Sequence, residues 1–247
     1  MARTAAALII GDEILTGKIQ DTNSFHLAQT LRTLAISLRH VQVVPDDPEA
    51  IRGLVSSLRG SHDFVFTSGG VGPTHDDVTI ASIAQSLGRQ IVRDPVLEAN
   101  IRAHYGPRCT DDHLRMAAVV EGTTLHFGSD RTVRWPLMVL GNILILPGVP
   151  QLFRQSLDLV AALLRDCARP FVCESVFCNG DEPSLRPYID RIVADFPDLS
   201  LGSYPRYFDA DYTVKITFDG NDPAQIRRAR DAFVHSLPPE RLVRLDP

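Results

Sequence analysis

Apolar and polar positions follow two periods along the first two thirds of the chain, and the switches between them mark the elements. TAAALII, residues 4–10, is an unbroken apolar run of strand length; a strand buried on both faces reads this way. After a polar loop, Leu27, Ala28, Leu31, Leu34 and Ala35 recur at helical spacing. SLRHVQVV, residues 37–44, alternates as a strand does. Asp47 and Pro48 then read as an N-cap and the first helical position, and Ile51, Leu54, Val55 and Leu58 continue that helix on one face. DFVFTSGG is a third strand running into glycines, and residues 78–88 form the helix after it. MVLGNILIL places Gly141-Asn142 between two apolar runs, a hairpin signal, and PGVP leads into the helix QLFRQSLDLVAALL. Strand and helix in alternation predict an α/β core, with a mostly parallel sheet covered on both faces.

The pattern changes at Ala168-Arg169-Pro170. Beyond it FVCESVFC is a strand, EPSLRPYIDRIVADF a helix, LSLGSYP and DYTVKITFD strands, PAQIRRARDAFVHSL a helix and RLVRL a last strand. This β-α-β-β-α-β order is ferredoxin-like. The expected domains are therefore an α/β unit, 1–168, and a small α+β unit, 169–247.

Charge and cysteine usage narrow the function classes. A net charge of −5 over 247 residues argues against a general nucleic-acid or membrane-surface binder. The opening MARTAAALIIGDEIL holds one short apolar run with carboxylates right after it. It reads as a buried strand, neither a leader nor a membrane span. The four cysteines form no C-x-x-C pair, and Cys173 and Cys178 point to opposite faces of one strand. They read as small apolar fillers in a reducing, cytoplasmic setting. No H-x-H or H-x-x-x-H pairing suggests a zinc site.

The most informative stretch is TSGGVGPTHDDVT, Thr67 to Thr79. In an open α/β sheet ligands bind outside the carboxyl ends of the strands, where this stretch lies. Gly69, Gly70 and Gly72 let a ligand approach the backbone, the following helix offers unpaired N–H groups to an anion, and Ser68 reads as a phosphate hydrogen-bond donor. Asp76 and Asp77 would repel that anion. Either a divalent cation lies between carboxylates and phosphate, or one aspartate caps the helix and the other is solvated. The chain lacks a lysine-bearing P-loop, and it lacks G-x-G-x-x-G after the first strand. His75 reads as an exposed loop histidine, and Trp135 as packing rather than a base-stacking platform.

A second polar loop, IGDEILTGKIQDTNS, follows the first strand and shares the same sheet edge. It brings Asp12, Glu13, Thr16, Asp21 and Asn23 to the same cleft, and Asp46 follows the second strand there. Acids crowd together only with a cation, a raised pKa or water between them; the plainer role for Asp46 is a turn residue before the Pro48 helix.

Taken together, IGDEIL-TG, DTN, VVPDD, TSGGVGPTHDDVT and LPGVP resemble the MoaB/Mog molybdenum-cofactor-biosynthesis fold. They resemble more narrowly the N-terminal part of CinA proteins, and most closely the molybdopterin-binding-like domain of eukaryotic FAD synthase. GDEIL, GPTHDDVT, the WPLMVLGNILILPGVP hairpin and the late LGSYP before YTVKIT carry that last likeness, which covers nearly the whole chain. It implies a three-layer MoaB/Mog-like core and a ligand site from three loops. The implied binding residues are Gly11, Asp12, Thr16, Gly17 and Asn23, then Ser68, Gly69, Gly70, Gly72, Pro73, Thr74 and Thr79, with Pro147 and Gly148. Mog-type proteins bind a pterin and its adenylylated form. CinA-type and FAD-synthase-type domains imply metal-dependent cleavage of a nucleotide pyrophosphate such as FAD or ADP-ribose.

Asp76 and Asp77 together match the pyrophosphatase branch, since Mog-type proteins usually carry Arg where Asp76 stands. The resemblance thus implies Asp76, Asp77, Glu13 and Asp46 as catalytic. Asp76 and Asp77 would hold magnesium, manganese or cobalt, with potassium as an optional second ion, and the protein would be a homo-dimer or trimer. The alternative it implies is a non-catalytic pterin or nucleotide carrier linked to molybdenum cofactor biosynthesis. Two departures stand out. CinA proteins usually carry an N-P-x-G-x-A-P-G-like stretch where this chain has FGSDRTVRWPLMV, so that loop's contact is not carried over. The chain ends at Pro247, so neither a deamidase nor a flavin-adenylylating activity is expected of it.

Overall fold

The computed structural model describes residues 3–128, 135–167, 171–207 and 211–246. The chain divides into two compact units, Met1–Ala168 and Arg169–Pro247. The Ala168-Arg169-Pro170 stretch itself lies outside the described residues, as does most of FGSDRTVR.

In the first unit the elements run β1 (Thr4–Ile10), α1 (Asp12–Leu15), α2 (Asn23–Thr33), β2 (Ser37–Val44), α3 (Pro48–Ser61), β3 (Phe64–Ser68) and α4 (Thr79–Leu87). There follow β4 (Ile91–Arg93), α5 (Pro95–Tyr105), α6 (Asp111–Arg115), β5 (Ala118–Val120), β6 (Thr124–His126), β7 (Leu137–Leu140), β8 (Ile143–Leu146) and α7 (Pro150–Leu163). Six strands form one sheet in the order β2-β1-β3-β8-β7-β6. The first four are mutually parallel, while β7 and β6 run antiparallel to their neighbours. β4 and β5 make a separate antiparallel ribbon.

The period-2 geometry of β1 explains the three layers. Ala6, Leu8 and Ile10 pack into one cluster with Ile51 and Val55 of α3 and Ile83 of α4. Ala5, Ala7 and Ile9 pack into another with Leu27 and Leu31 of α2 and Phe153 and Leu157 of α7. Each Leu, Ile, Val or Phe side chain among them contributes roughly 1.5–3 kcal/mol when fully buried. Because β1 is buried on both faces it shows no alternation, as expected. β2 departs from its expected alternation: Arg39 to Gln42 are all exposed. The cause is its place at the sheet's edge, paired only with β1. Leu34 and Ala35 fall just past α2. There Ala35 takes a left-handed φ of 54°, and the Ile36 N–H donates back to the Leu31 carbonyl at 2.9 Å, the bonding of a helix-ending turn. Asp47 caps α3 by accepting the Ala50 N–H, with Pro48 in the first turn.

Going from β1 to β2 moves the chain one way across the sheet, and β2 to β3 brings it back to the other side of β1. The reversal opens a crevice at the carboxyl ends of β1 and β3.

The second unit holds β9 (Val172–Cys178), α8 (Glu182–Asp195), β10 (Ser200–Pro205), β11 (Val214–Gly220), α9 (Pro223–Ser236) and β12 (Leu242–Asp246). Its sheet order is β10-β11-β9-β12, antiparallel throughout. Both helices pack on one face, burying Leu185, Ile192, Ile226 and Phe233 against Val176, Ile216 and Phe218. Cys178 joins that core, and burial pushes its thiol up to about 11, so it stays protonated and acts as an apolar filler. Glu174 is 5 % exposed, and its charge is met by Arg230 at 2.6 Å and Arg227 at 3.6 Å, both from α9.

Candidate functional site

The crevice is a cleft of about 480 Å³ in the first unit. Three loops meet at its floor, after β1, β3 and β8, and the sequence shows why they come so close. A side chain at Gly69 would lie 2.3 Å from the Ile10 carbonyl oxygen, and φ there is +103°. A Cβ at Gly148 would lie 3.0 Å from the Gly69 Cα. Only glycine lets these backbones touch. Asn23, at the start of α2, ties two of the loops together. Its Nδ2 donates to Ser68 Oγ at 2.9 Å and to the Gly148 carbonyl at 2.8 Å. Asp21 orients it by accepting the backbone N–H groups of Asn23 and Ser24.

The glycine loop is organised from inside by Asp77. Its Oδ1 accepts the Gly72 N–H at 2.6 Å, and its Oδ2 accepts the Thr74 N–H at 2.7 Å and the Thr74 hydroxyl at 2.6 Å. Asp77 is no helix cap, since the N-cap of α4 is Val78 and no side chain makes a capping bond there. Thr79 is fully buried, with its hydroxyl donating to the Gly69 carbonyl at 2.8 Å. With the Gly72 and Thr74 N–H groups taken, those of Gly70 and Val71 are left without an acceptor among the described residues.

Acids line the mouth. Asp46 accepts the Asp12 N–H at 2.9 Å. Burial raises its carboxyl above the ordinary range, and the charges of Glu13, Asp12 and Asp76 add to that rise. Asp76 is lowered from the ordinary range, with the Thr74 side chain as the leading cause and its own backbone N–H next; the one Thr74 hydroxyl proton is already on Asp77 Oδ2, so the backbone N–H is the donor that remains for Asp76. His75 is almost fully exposed, with Nδ1 3.9 Å from Asp76 Oδ1.

Of the residues singled out in the sequence, Gly11, Glu13, Asn23, Asp46, Ser68, Gly69, Gly70, Gly72, Pro73, Asp76, Asp77, Pro147 and Gly148 line the cleft. Asp12, Thr16, Gly17, Thr74 and Thr79 do not; each holds a neighbouring turn or stands beside it. Ile14, Val71 and Val149 line the cleft within the three implied loops, 11–17, 67–79 and 147–150, though not singled out there, and Ile19, Met116 and Leu152 escaped the sequence reading. Met116 comes from the stretch between α4 and β7, where no element was read. Trp135 packs against the core as expected and also lines the cleft.

Among the described residues no group of three or more His, Cys, Asp or Glu side chains is placed to hold a metal ion. A cation in this cleft would have to be held by one or two carboxylates together with ligand phosphate oxygens, the way magnesium is usually held.

With this geometry, residues 6–166 match the family described as "Probable molybdopterin binding domain". The chain belongs to the molybdopterin binding domain family. Residues 170–246 match "FAD synthase, middle domain". A "Probable FAD synthase" of Caenorhabditis elegans is 32% identical over 245 residues, covering 88% of this chain and 46% of that protein. A protein of Metallosphaera sedula is 30% identical, covering 92% of this chain and 90% of its own length. The crystal structure of the CinA protein of unknown function from Thermoplasma acidophilum has a TM-score of 0.59 at 29% identity, over 67% of this chain and 98% of that one. The chain spans about half the length of the two nematode FAD synthases it matches, 46% and 50%. Among the described residues no helix is long and apolar enough to cross a membrane.

Proposed function

We propose that this member of the molybdopterin binding domain family binds a pyrophosphate-containing nucleotide in the cleft and, with a divalent cation, hydrolyses it. FAD and ADP-ribose are the favoured substrates. The observation that carries this reading is geometric: Glu13, Asp46 and Asp76 line the same cleft as the Gly70 and Val71 backbone, whose N–H groups have no acceptor among the described residues, and the raised Asp46 carboxyl agrees with it. Environments that push neighbouring carboxyls apart assign them different tasks. Asp46 suits proton uptake from an attacking water, with Glu13 beside it. Asp76, exposed and ionised, suits the cation. Asp77 keeps the loop in shape and has one lone-pair position left for the same ion. The Gly70 and Val71 N–H groups meet phosphate oxygens.

Magnesium, manganese or cobalt, with potassium as an optional second ion, would supply neutralisation of the phosphate charge. Water adds to one phosphorus, its proton passes to Asp46, and the bridging P–O bond breaks. FAD then gives FMN and AMP, and ADP-ribose gives AMP and ribose 5-phosphate. The FAD synthase likeness of both units supports a flavin nucleotide. A cytoplasmic homo-oligomer, dimer or trimer, belongs to the same proposal; sedimentation reads the oligomer.

One observation favours a second reading, a pterin or nucleotide carrier without turnover. Three donors already occupy the Asp77 carboxylate, and no three metal-binding side chains converge among the described residues. Incubating the protein with FAD, ADP-ribose and NAD, each with magnesium, manganese or cobalt, and separating the products decides between them. AMP release supports the hydrolase; tight binding without products supports the carrier.

A further inference from the structure

The polar half of the cleft accounts for phosphates but leaves its other wall unassigned. Val71, Met116 and Trp135 all line the cleft and all pack against the core cluster on the α4 side of the sheet. They come from three separate segments: the glycine loop, the end of α6 and the approach to β7. The Trp135 Nε1 is sealed from solvent and meets no acceptor among the described residues, although a buried indole N–H normally finds a partner. With its polar end sealed, the indole offers the cleft carbon surface, which Val71 and the pliable Met116 extend.

The geometry points to Trp135, with Val71 and Met116, as the subsite that takes the flat heteroaromatic ring of the nucleotide, by stacking and apolar contact. This rests on the nucleotide reading above. It makes Trp135 a specificity-determining residue, which separates ring-bearing ligands from bare phosphate esters. Stacking against an aromatic side chain tolerates many rings, because each offers a π face. Adenine, isoalloxazine and pterin are therefore all admitted, and pyrophosphate alone gains nothing from this wall.

Trp135 is the sole tryptophan of the chain, so its emission reports on this wall directly. The full chain is titrated with FAD, ADP-ribose, ribose 5-phosphate and pyrophosphate in the presence of EDTA, which prevents turnover. Fluorescence, corrected for ligand absorbance, is read beside calorimetry. FAD and ADP-ribose are expected to change Trp135 emission on binding, and the two ring-free ligands to leave it unchanged. Trp135→Ala should weaken the ring-bearing ligands roughly tenfold, about 1.4 kcal/mol, and leave pyrophosphate affinity as it was. Trp135→Phe keeps a stacking face and should stay within about threefold of wild type. If Trp135→Ala does not fold, the wild-type emission and Trp135→Phe decide. Calorimetric binding of FAD and ADP-ribose with unchanged emission, or with equal loss of pyrophosphate affinity in the variant, overturns the subsite and leaves the hydrolase reading standing. Absence of any calorimetric binding overturns both.

Discussion

The Asp77 carboxylate and the Gly72 backbone are fitted to one another: Gly72 donates its N–H to Oδ1 at 2.6 Å, and a Cβ on Gly72 would lie 2.7 Å from Oδ2. The glycine is needed because an aspartate sits over it. Gly72→Ala has to push the carboxylate away, and the two Thr74 donors hold that carboxylate in place. The expected result is a folded protein less stable by about 1–2 kcal/mol, with nucleotide affinity lowered about tenfold. Urea unfolding and calorimetry measure the two effects. Unchanged values in both would mean the loop tolerates displacement of Asp77.

Asp77→Asn tests the same contact from the other side. The carboxylate accepts from three donors; an amide offers one oxygen, and its NH₂ would face at least one N–H. A buried or half-buried donor left without an acceptor costs about 1–3 kcal/mol. The expected outcome is weaker nucleotide binding with EDTA as well as with metal, accompanied by lower stability. If Asp77 acted only as a cation ligand, binding in EDTA would survive the change while turnover disappeared. Comparing affinity with and without metal in this one variant separates the roles.

The glycine loop shows what the sequence carries and what it hides. Two aspartates after three glycines announce a ligand loop, and the loops after β1 and β3 were legible because strand ends in a parallel sheet share an edge, whereas the loop after β8 was carried by the family resemblance. The assignment of tasks within GPTHDD was not legible. Asp76 and Asp77 are adjacent and alike in sequence, yet one is exposed at the mouth and the other is turned onto its own backbone. Only the fold of these six residues, Gly72 to Asp77, decides this. In the same way Thr79 reads as a ligand donor until its hydroxyl is seen on the Gly69 carbonyl. Met116 gives no local signal at all, because an apolar residue in a loop is common and its place on the cleft depends on distant packing. The ferredoxin-like order of the second unit was legible from its succession of strand-length and helix-length runs, although β9 is buried at five consecutive positions, Glu174 to Cys178, and not in alternation.

Glu174 gives a prediction for the second unit. It is almost fully buried on β9, and Arg230, whose side chain is 19% exposed, meets it at 2.6 Å. Removing one partner of a buried ion pair leaves the other charge uncompensated, which costs on the order of 3–5 kcal/mol. Arg227 is mostly exposed and stands 3.6 Å away, so it compensates in part and moves the expectation to the lower end. Arg230→Ala should destabilise the full chain toward chemical denaturation by about 3 kcal/mol. Arg230→Ala combined with Glu174→Gln should recover much of that loss. No recovery in the double variant would show that Arg230 acts through packing and not through its charge.

Asp46 yields the pH prediction. Its folded carboxyl titrates above the ordinary value of 3.8, because burial and the nearby charges of Glu13, Asp12 and Asp76 disfavour the anion. Between the unfolded and the folded pKa the native state therefore binds more protons than the unfolded one, and stability falls as pH rises through that window. The contribution is fully present below about 3.8 and lost above the raised value, so at neutral pH Asp46 is a net burden on the fold. Asp46→Asn keeps an oxygen to accept the Asp12 N–H and removes the charge. It should raise the melting temperature at pH 7 by a few degrees, with the gain shrinking toward zero as pH approaches 3.8. It should also cut turnover of FAD or ADP-ribose by at least about a hundredfold, the usual scale for losing a general base, while nucleotide affinity holds. A more stable, ligand-competent and inactive variant is the pattern expected when a strained carboxylate is retained for chemistry. If Asp46→Asn instead lowers the melting temperature at pH 7, the carboxylate is a structural acceptor at the Asp12 turn, and the base must be sought at Glu13.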